Sequence, residues 1–279
     1  MITVSQRRYI EDYAYVPEHL PDYVTAILQT EPFLIDDFLI HAKKDHLIFV
    51  GYPLRGPLRE KQMVEALEKG IKRFKPKTVA LTGPEIPSSL NDCVHLPPDH
   101  YYRLELSSLS ISQKLRNMLK RSDRELSVEK GNTLDEEHQK MVEEFLKTHP
   151  VDEATRFIFN RIDEYLSCSP TAQVFDARNK RDELVAFDVA EFRPMDYALY
   201  MFNFGSGARY VPGASDLLLS KVIQQARTER KKYINLGLGI NTGVTFFKKK
   251  WGGMPFLPHT SCFYTLSRKE DLDSLLRKL

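Results

Sequence analysis

Apolar residues recur along the chain with two alternating periods, and this alternation sets the expected class. The compact run His46–Tyr52 reads as a strand. Leu58–Phe74 then carries Met63, Leu67, Ile71 and Phe74 at helical spacing, and Thr78–Leu81 reads as the next strand. Upstream, Pro17–Gln29 predicts a short helix. A stretch rich in proline and serine follows Leu81 (Gly83, Pro84, Pro87, Ser88, Ser89, then Pro97 and Pro98) and is the best candidate boundary.

Beyond it the pattern predicts a strand over Tyr101–Leu106, a basic helix over Ser110–Ser122 and a strand over Leu126–Glu129. Helices follow over Leu134–Lys147 and near Glu153–Leu166, then three strands, Ala172–Ala177, Leu184–Phe192 and Tyr197–Phe204. A long helix over Ser215–Arg230, a strand over Tyr233–Leu236, a short helix over Thr242–Lys250 and a strand over Phe256–Thr265 complete the series. Ser267 with Glu270 three residues on spells a capping box for a final helix. Strands interleaved with amphipathic helices place the chain in the α/β class, a mixed sheet flanked by helices. The order strand, long helix, strand occurs twice, over 46–81 and again over 197–236. Two related lobes would produce that echo, as would a generic βαβ unit. The expected division is a reduced N-terminal lobe, 1–106, and a larger C-terminal lobe, 107–279.

Composition changes this picture little. Lys+Arg number 40 against Asp+Glu 38, a net charge of +2, so bulk charge does not predict a nucleic-acid partner. No apolar run approaches the ~18 residues of a membrane span, and the first eight residues lack a signal-peptide core. The three cysteines, Cys93, Cys168 and Cys262, form no paired motif. That argues against a disulfide framework and for a reducing, cytoplasmic home. The eight histidines form no metal-ligand spacing, so no metal site is read.

Candidate chemistry concentrates between Gly205 and Gly253. The segment Arg209-Tyr210-Val211-Pro212-Gly213-Ala214 leads into the long helix. A glycine loop at a helix N-terminus offers free N–H groups and a positive dipole end, suited to a diphosphate or a developing oxyanion. Ser215 and Asp216 are the candidate caps of that helix. The glycines at 237, 239 and 243 do not have dinucleotide-loop spacing. Strand Leu184–Phe192 is apolar on both faces except at Asp188 and Glu191. A buried carboxylate is costly unless paired or functional, so mid-strand Asp188 is the candidate base and Glu191 the one expected to emerge near an edge. Tyr200 and Asn203 on the next strand are candidates to line the same cleft, with core packing the alternative for Tyr200.

The order of elements over 125–265 resembles the GNAT superfamily of acyl-CoA N-acyltransferases. In that family the loop before the long helix reads Gln/Arg-x-x-Gly-x-Gly/Ala and cradles the coenzyme A diphosphate. Arg209, Gly213 and Ala214 fall near that pattern. Pro212 stands at the first glycine and lacks the N–H a cradle would use. Asn235-Leu236-Gly237 and Gly243–Gly253, with Phe247-Lys248 and Trp251-Gly252, resemble the Phe-Lys-x-x-(aromatic)-Gly signature of the Fem-type aminoacyl transferases, which are double-GNAT proteins. The helix 113–121 resembles the element that opens their second lobe.

The resemblance implies a GNAT-like mixed sheet in two tandem lobes, the first reduced. It also implies transfer of an acyl or aminoacyl group to a primary amine of a small molecule or peptide. The donor would be an acyl-CoA or an aminoacyl-tRNA, with tRNA a possible partner. Lys248 becomes a candidate for charge stabilisation, with Lys249 and Lys250 expected to solvate the surface, Phe246-Phe247 to anchor the segment in the core and Trp251 to be a core anchor. Arg116 and Arg121 on the basic helix, with Arg209, Gly213, Ala214 and Ser215, become candidate substrate contacts. The alternative is a non-catalytic GNAT-like module that senses a charged metabolite.

Overall fold

The computed structural model describes residues 1–88, 90 and 93–266. In chain order the elements are α1 (Val4–Tyr13), a 3-10 turn (Pro17–His19), α2 (Pro21–Leu28), β1 (Glu31–Ile35), β2 (Phe38–Lys43), β3 (His46–Val50), α3 (Glu60–Phe74), β4 (Thr78–Gly83), β5 (Val94–His95) and β6 (Asp99–Glu105). There follow α4 (Gln113–Glu125), β7 (Leu126–Gly131), α5 (Glu136–Thr148), α6 (Glu153–Phe159), α7 (Ile162–Cys168), β8 (Ala172–Asn179), β9 (Leu184–Glu191), β10 (Tyr197–Gly205), α8 (Ala214–Thr228), β11 (Tyr233–Leu238), α9 (Thr242–Lys250) and β12 (Met254–Thr265). The class is α/β, as the periodicity predicts. The predicted helix at 17–29 is split, because Pro21 opens α2 and ends the 3-10 turn before it. The single helix expected at 153–166 is two, α6 and α7. The capping box at Ser267 and Glu270 lies outside the described residues.

The chain forms two compact units that are not sequential halves. One gathers Met1–Ile2, Thr30–Pro98 and the stretch from Pro258 on; the other gathers Thr3–Gln29 and Asp99–Leu257. This corrects the division at 106. Residues from Thr260 to Thr265 pair antiparallel with β4, and sheet hydrogen bonds outrank chain order. In the first unit β1, β2, β3 and β4 pair in sequence, with β3 and β4 parallel and β12 beyond them. Helix α3 lays Met63, Ala66 and Leu67 into the core of this unit beside Ile40, Leu47 and Phe49.

This unit also corrects the cysteine reading. Cys93 and Cys262, 169 residues apart in sequence, are joined in a disulfide, with β12 carrying one and the segment before β5 the other. Cys168 is the free thiol. The argument from unpaired cysteines to a reducing compartment therefore loses its premise. None of the described helices is long and apolar enough to cross a membrane.

In the second unit the strand order is β6-β11-β10-β9-β8-β7, antiparallel except for the parallel pair β10/β11. Strand β9 is buried along its whole length, as its near-continuous apolar sequence requires. One face packs on α8 through Leu217, Leu218, Val222 and Ile223; the other packs under α5 and α7 through Phe187, Phe204, Met141 and Tyr165. Each such side chain contributes roughly 1.5–3 kcal/mol on burial. Glu191 does not emerge at an edge. It is 2% exposed and accepts hydrogen bonds from Tyr165 Oη (2.8 Å), Ser169 Oγ (2.6 Å) and the Phe192 and Arg193 N–H groups.

Candidate functional site

Helix α8 begins where the loop after β10 turns through Gly213, which has φ 84° and serves as N-cap without any side-chain cap. Two constraints select glycine here. A left-handed φ penalises a Cβ, and a Cβ at this position would lie 2.5 Å from Ser122 Oγ and 2.9 Å from Met118 Cγ on α4. Ser122 also donates to the Pro212 carbonyl at 3.0 Å, so α4 buttresses the turn. The expected caps are engaged elsewhere. Ser215 Oγ donates to Asn203 Oδ1 (3.3 Å), while Asp216 accepts from Lys250 Nζ (2.6 Å) and Trp251 Nε1 (2.9 Å). Asp216 is 5% exposed and its charge is neutralised by the lysine. The N-terminal dipole of α8 therefore opens on a cleft of about 720 Å³. Gly205–Ala208, Tyr210, Val211, Gly213–Asp216, Val185, Ala186 and Phe247 line it, together with the end of α5 from Glu144 to His149.

Beneath Asn203 and Ser215 lies Asp188, fully buried. Asn203 Nδ2 donates to Asp188 Oδ1 at 2.5 Å. Asp188 Oδ2 and the Tyr200 hydroxyl complete no hydrogen bond among the described residues. Burial pushes the Asp188 carboxyl up to about 8, against smaller opposing pulls from Asn203 and Tyr200. Burial, then the Asp188 charge, drives the Tyr200 hydroxyl well above its ordinary value. The structure thus brings Asp188, Tyr200 and Asn203 together, as the sequence suggests, and adds Ser215 to them. Of the four only Ser215 lines the cleft; Asp188, Tyr200 and Asn203, expected to share it, are not among the cleft-lining residues, and Asp188 lies behind Asn203.

A second feature lies where β10 and β11 part. They pair over only three positions, Tyr197–Leu199 against Tyr233–Asn235, and β10 carries a register shift between Tyr200 and Phe202. Beyond the pairing, Asn235 Oδ1 accepts from Gly237 N–H at 2.8 Å, and Gly237 bends away with φ 77°. A Cβ at Gly237 would sit 3.6 Å from Lys248 Nζ and 3.8 Å from the Tyr200 carbonyl. The Lys248 amine therefore lies at the fork. It is buried, donates to the Leu238 carbonyl and stands 5.9 Å from the centre of the Tyr102 ring. Burial draws it down to about 8, with the charge of Asp99 pulling the other way. By contrast β3 and β4 of the first unit pair along all of β3, and Gly51 N–H continues the ladder to Thr82 O at 2.6 Å. No fork opens between those two strands.

The remaining candidates are spread. Arg116 is exposed and bonds its own helix start, donating to Ile111 O (2.6 Å) and Gln113 Oε1 (2.9 Å). Arg121 is exposed and pairs with Glu125 at 3.4 Å. Neither lines the cleft. Arg209 is half-buried beside the cleft residues Ala208 and Tyr210, and its Nε has no partner among the described residues.

Two expectations about α9 are corrected. Phe246 is 69% exposed, so Phe247 alone anchors that turn. Lys250 pairs with buried Asp216 instead of solvating the surface. Successive helical residues diverge by about 100°, so only tertiary packing says which direction meets the core. Trp251 is 2% exposed, the core anchor expected of it. Sequence reading missed Asp99, whose carboxylate receives the Ile240 and His100 N–H groups at 2.8 and 2.6 Å. A lone aspartate opening a strand carries no local signal of such contacts.

No family model and no curated protein sequence matches this chain. Solved structures do. L-PGS from Bacillus licheniformis is 15% identical over 91% of this chain and 90% of that one, with a TM-score of 0.59. FemX is 11% identical over 99% and 98%, with a TM-score of 0.61. A tandem GNAT protein from the clavulanic acid biosynthesis pathway is 11% identical over 84% and 79%, with a TM-score of 0.52. At these identities the likeness establishes the fold. The chain has a tandem GNAT-like fold.

Proposed function

We propose that this chain is an acyl- or aminoacyl-transferase whose second unit delivers an acyl group to a primary amine. The parting of β10 and β11, the strands that flank α8 in the chain, carries this reading, because it provides a slot for an activated carbonyl between two strands. The amine lone pair attacks the carbonyl carbon. The C–O or C–S bond to the donor then breaks, and the ammonium proton passes, through solvent or a base, to the departing oxygen or sulfur, which leaves as the hydroxyl or thiol. Positioning and stabilisation of the developing oxyanion supply the rate, so no nucleophile triad is needed. Lys248 is a cation held at the slot. Asp188 sets Asn203, which holds Ser215 in the cleft wall.

Pro212 offers no N–H to a diphosphate, which favours an aminoacyl-tRNA ester over an acyl-CoA thioester as donor. Asp216 at the same helix start adds no repulsion of an anionic donor, since Lys250 neutralises its charge. The test is a transfer assay with aminoacyl-tRNA and acyl-CoA donors and small-molecule or peptide amines, read by mass gain on the acceptor. Isothermal titration is expected to give weak or no acetyl-CoA binding, and low-micromolar affinity would defeat the loop argument. One observation favours the alternative, a module that senses a charged metabolite. The Asp188 carboxyl, at about 8, is mostly protonated near neutrality and lies behind the cleft wall. Tight ligand binding without turnover for any donor would select that reading.

A further inference from the structure

The turn joining β11 to α9 is strained in a way that its own packing does not explain. Ile240 has φ 61°, in the left-handed region that β-branched side chains avoid. The Asn241 N–H reaches back to the Gly239 carbonyl at 2.6 Å, closing a three-residue turn around Ile240. The Ile240 side chain is 75% exposed, so burial does not offset the strain. Three contacts brace the turn from outside it. Asp99 Oδ2 accepts the Ile240 N–H at 2.8 Å, Gly239 N–H donates to the His100 carbonyl at 3.1 Å, and Thr245 Oγ donates to the Gly239 carbonyl at 3.3 Å. Gly239 fits closely against the brace, since a Cβ there would lie 2.6 Å from Asp99 Oδ1. Immediately before the turn stands Leu238, whose carbonyl receives the Lys248 amine.

We infer that Asp99 is the positioning residue of Lys248: it holds the Gly239–Ile240–Asn241 turn in its strained form and so fixes the Leu238 carbonyl to which the lysine is anchored. Persisting strain needs surroundings that over-determine it, and the carboxylate at the start of β6 supplies that. The groups facing Lys248 are Asp99 and the Tyr102 ring from β6 and the Leu238 carbonyl from β11, so Asp99 is the charged one among them. The importance of Lys248 for transfer rests on the function proposed above; the coupling of Asp99 to Lys248 does not.

The experiment uses the full chain as wild type, Asp99→Ala, and Asp99→Ala with Ile240→Gly. Glycine takes a positive φ without strain, so it removes the need for the brace. Amide exchange at residue 240 and the NMR titration of the Lys248 ε-methylene are followed in each. Lys248 is expected to titrate below the surface lysines in wild type, to move up and join them in Asp99→Ala as the amine is released, and in the double variant to fall back to its wild-type value or below it, because the Asp99 charge that raises it is gone. Protection at residue 240 should fall at least 10-fold in both variants, because both lack its acceptor. A Lys248 titration that stays in place or moves down in Asp99→Ala, the sign of lost charge alone, overturns the inference, as does a double variant in which Lys248 stays with the surface lysines. With a working transfer assay, Asp99→Ala should lower kcat by roughly 100-fold, the size of a misplaced catalytic group, and the second substitution should restore most of it. If the NMR results hold and no donor supports transfer, the function proposed above fails while the role of Asp99 stands.

Discussion

Burial drives the Asp188 carboxyl up to about 8 and the Lys248 ammonium down to about 8, so two groups of opposite charge type titrate in one window. If ionised Asp188 assists the site and protonated Lys248 stabilises the oxyanion, kcat/KM rises with pH as Asp188 loses its proton and falls as Lys248 loses its own. A narrow bell centred near pH 8 is expected. Asp188→Asn should remove the acidic limb. Lys248→Met should remove the alkaline limb and lower turnover about 100-fold, with Lys249→Met within a few-fold of wild type. A flat wild-type profile would show that neither group titrates in the step.

Lys250 differs from both neighbours. Lys250→Met leaves Asp216 buried without its cation and should cost about 2–3 kcal/mol, below the range for a fully buried pair because the amine is partly wet. Denaturant melts of Lys250→Met, Asp216→Asn and the double variant measure this coupling, and additive losses would mean the pair is uncoupled. Gly213→Ala should cost about 1–3 kcal/mol from its φ and the contact with Ser122. Part of that loss should return with Ser122→Gly.

Helix α5, whose C-terminal turn lines the cleft, is fastened to β8 by His138 and by the Arg178–Glu137 ion pair at 2.7 Å. His138 is 2% exposed, with Nδ1 2.7 Å from Asp135 Oδ1 and Nε2 2.9 Å from Asp176 Oδ1. Burial pulls the imidazole down, but the hydrogen bonds and charges of Asp176 and Asp135 together outweigh it, and the net shift is upward. A group whose pKa is higher folded than unfolded contributes stability that is complete below the unfolded value. That stability is lost as pH rises through the folded value. Wild type should therefore lose stability from about pH 6.5 upward, and His138→Gln should be weaker at pH 6 and nearly level across the same window. Urea unfolding at pH 6 and pH 9 tests this. Equal slopes for the two proteins would mean that His138 is neutral in the folded state.

At the scale of the whole molecule, a single covalent link within the first unit closes a long stretch of chain, most of which belongs to the second unit. Cys93 and Cys262 lie 169 residues apart, and cross-links over long loops restrict the unfolded chain most. Cys93→Ser, or reductant, should lower stability by about 2–5 kcal/mol. Thiol counting under denaturing conditions should give a single free cysteine, Cys168, before reduction and all three after it. Three free thiols before reduction would remove the link.

The α/β class, the long helix after the Gly213 turn and the helix at Thr242–Lys250 were legible in the sequence, because amphipathic period, glycine and capping residues are local properties. The cluster of Asp188, Tyr200 and Asn203 was also legible, since a carboxylate in an apolar strand is conspicuous wherever that strand lies. What tertiary structure decided is everything that depends on partners far along the chain. Asp216 reads as a helix cap until Lys250 and Trp251 take its carboxylate, 34 and 35 residues on. Cys93 reads as a lone thiol until β12 returns beside β4. Asp99 falls just ahead of the strand read at Tyr101–Leu106, with no local partner, until the turn at Ile240 comes to rest on it, 141 residues later. Local pattern fixes which elements form, because their hydrogen bonds and faces close within a few residues. Which of two equally satisfiable partners a polar group takes is settled only when the strands are brought into register.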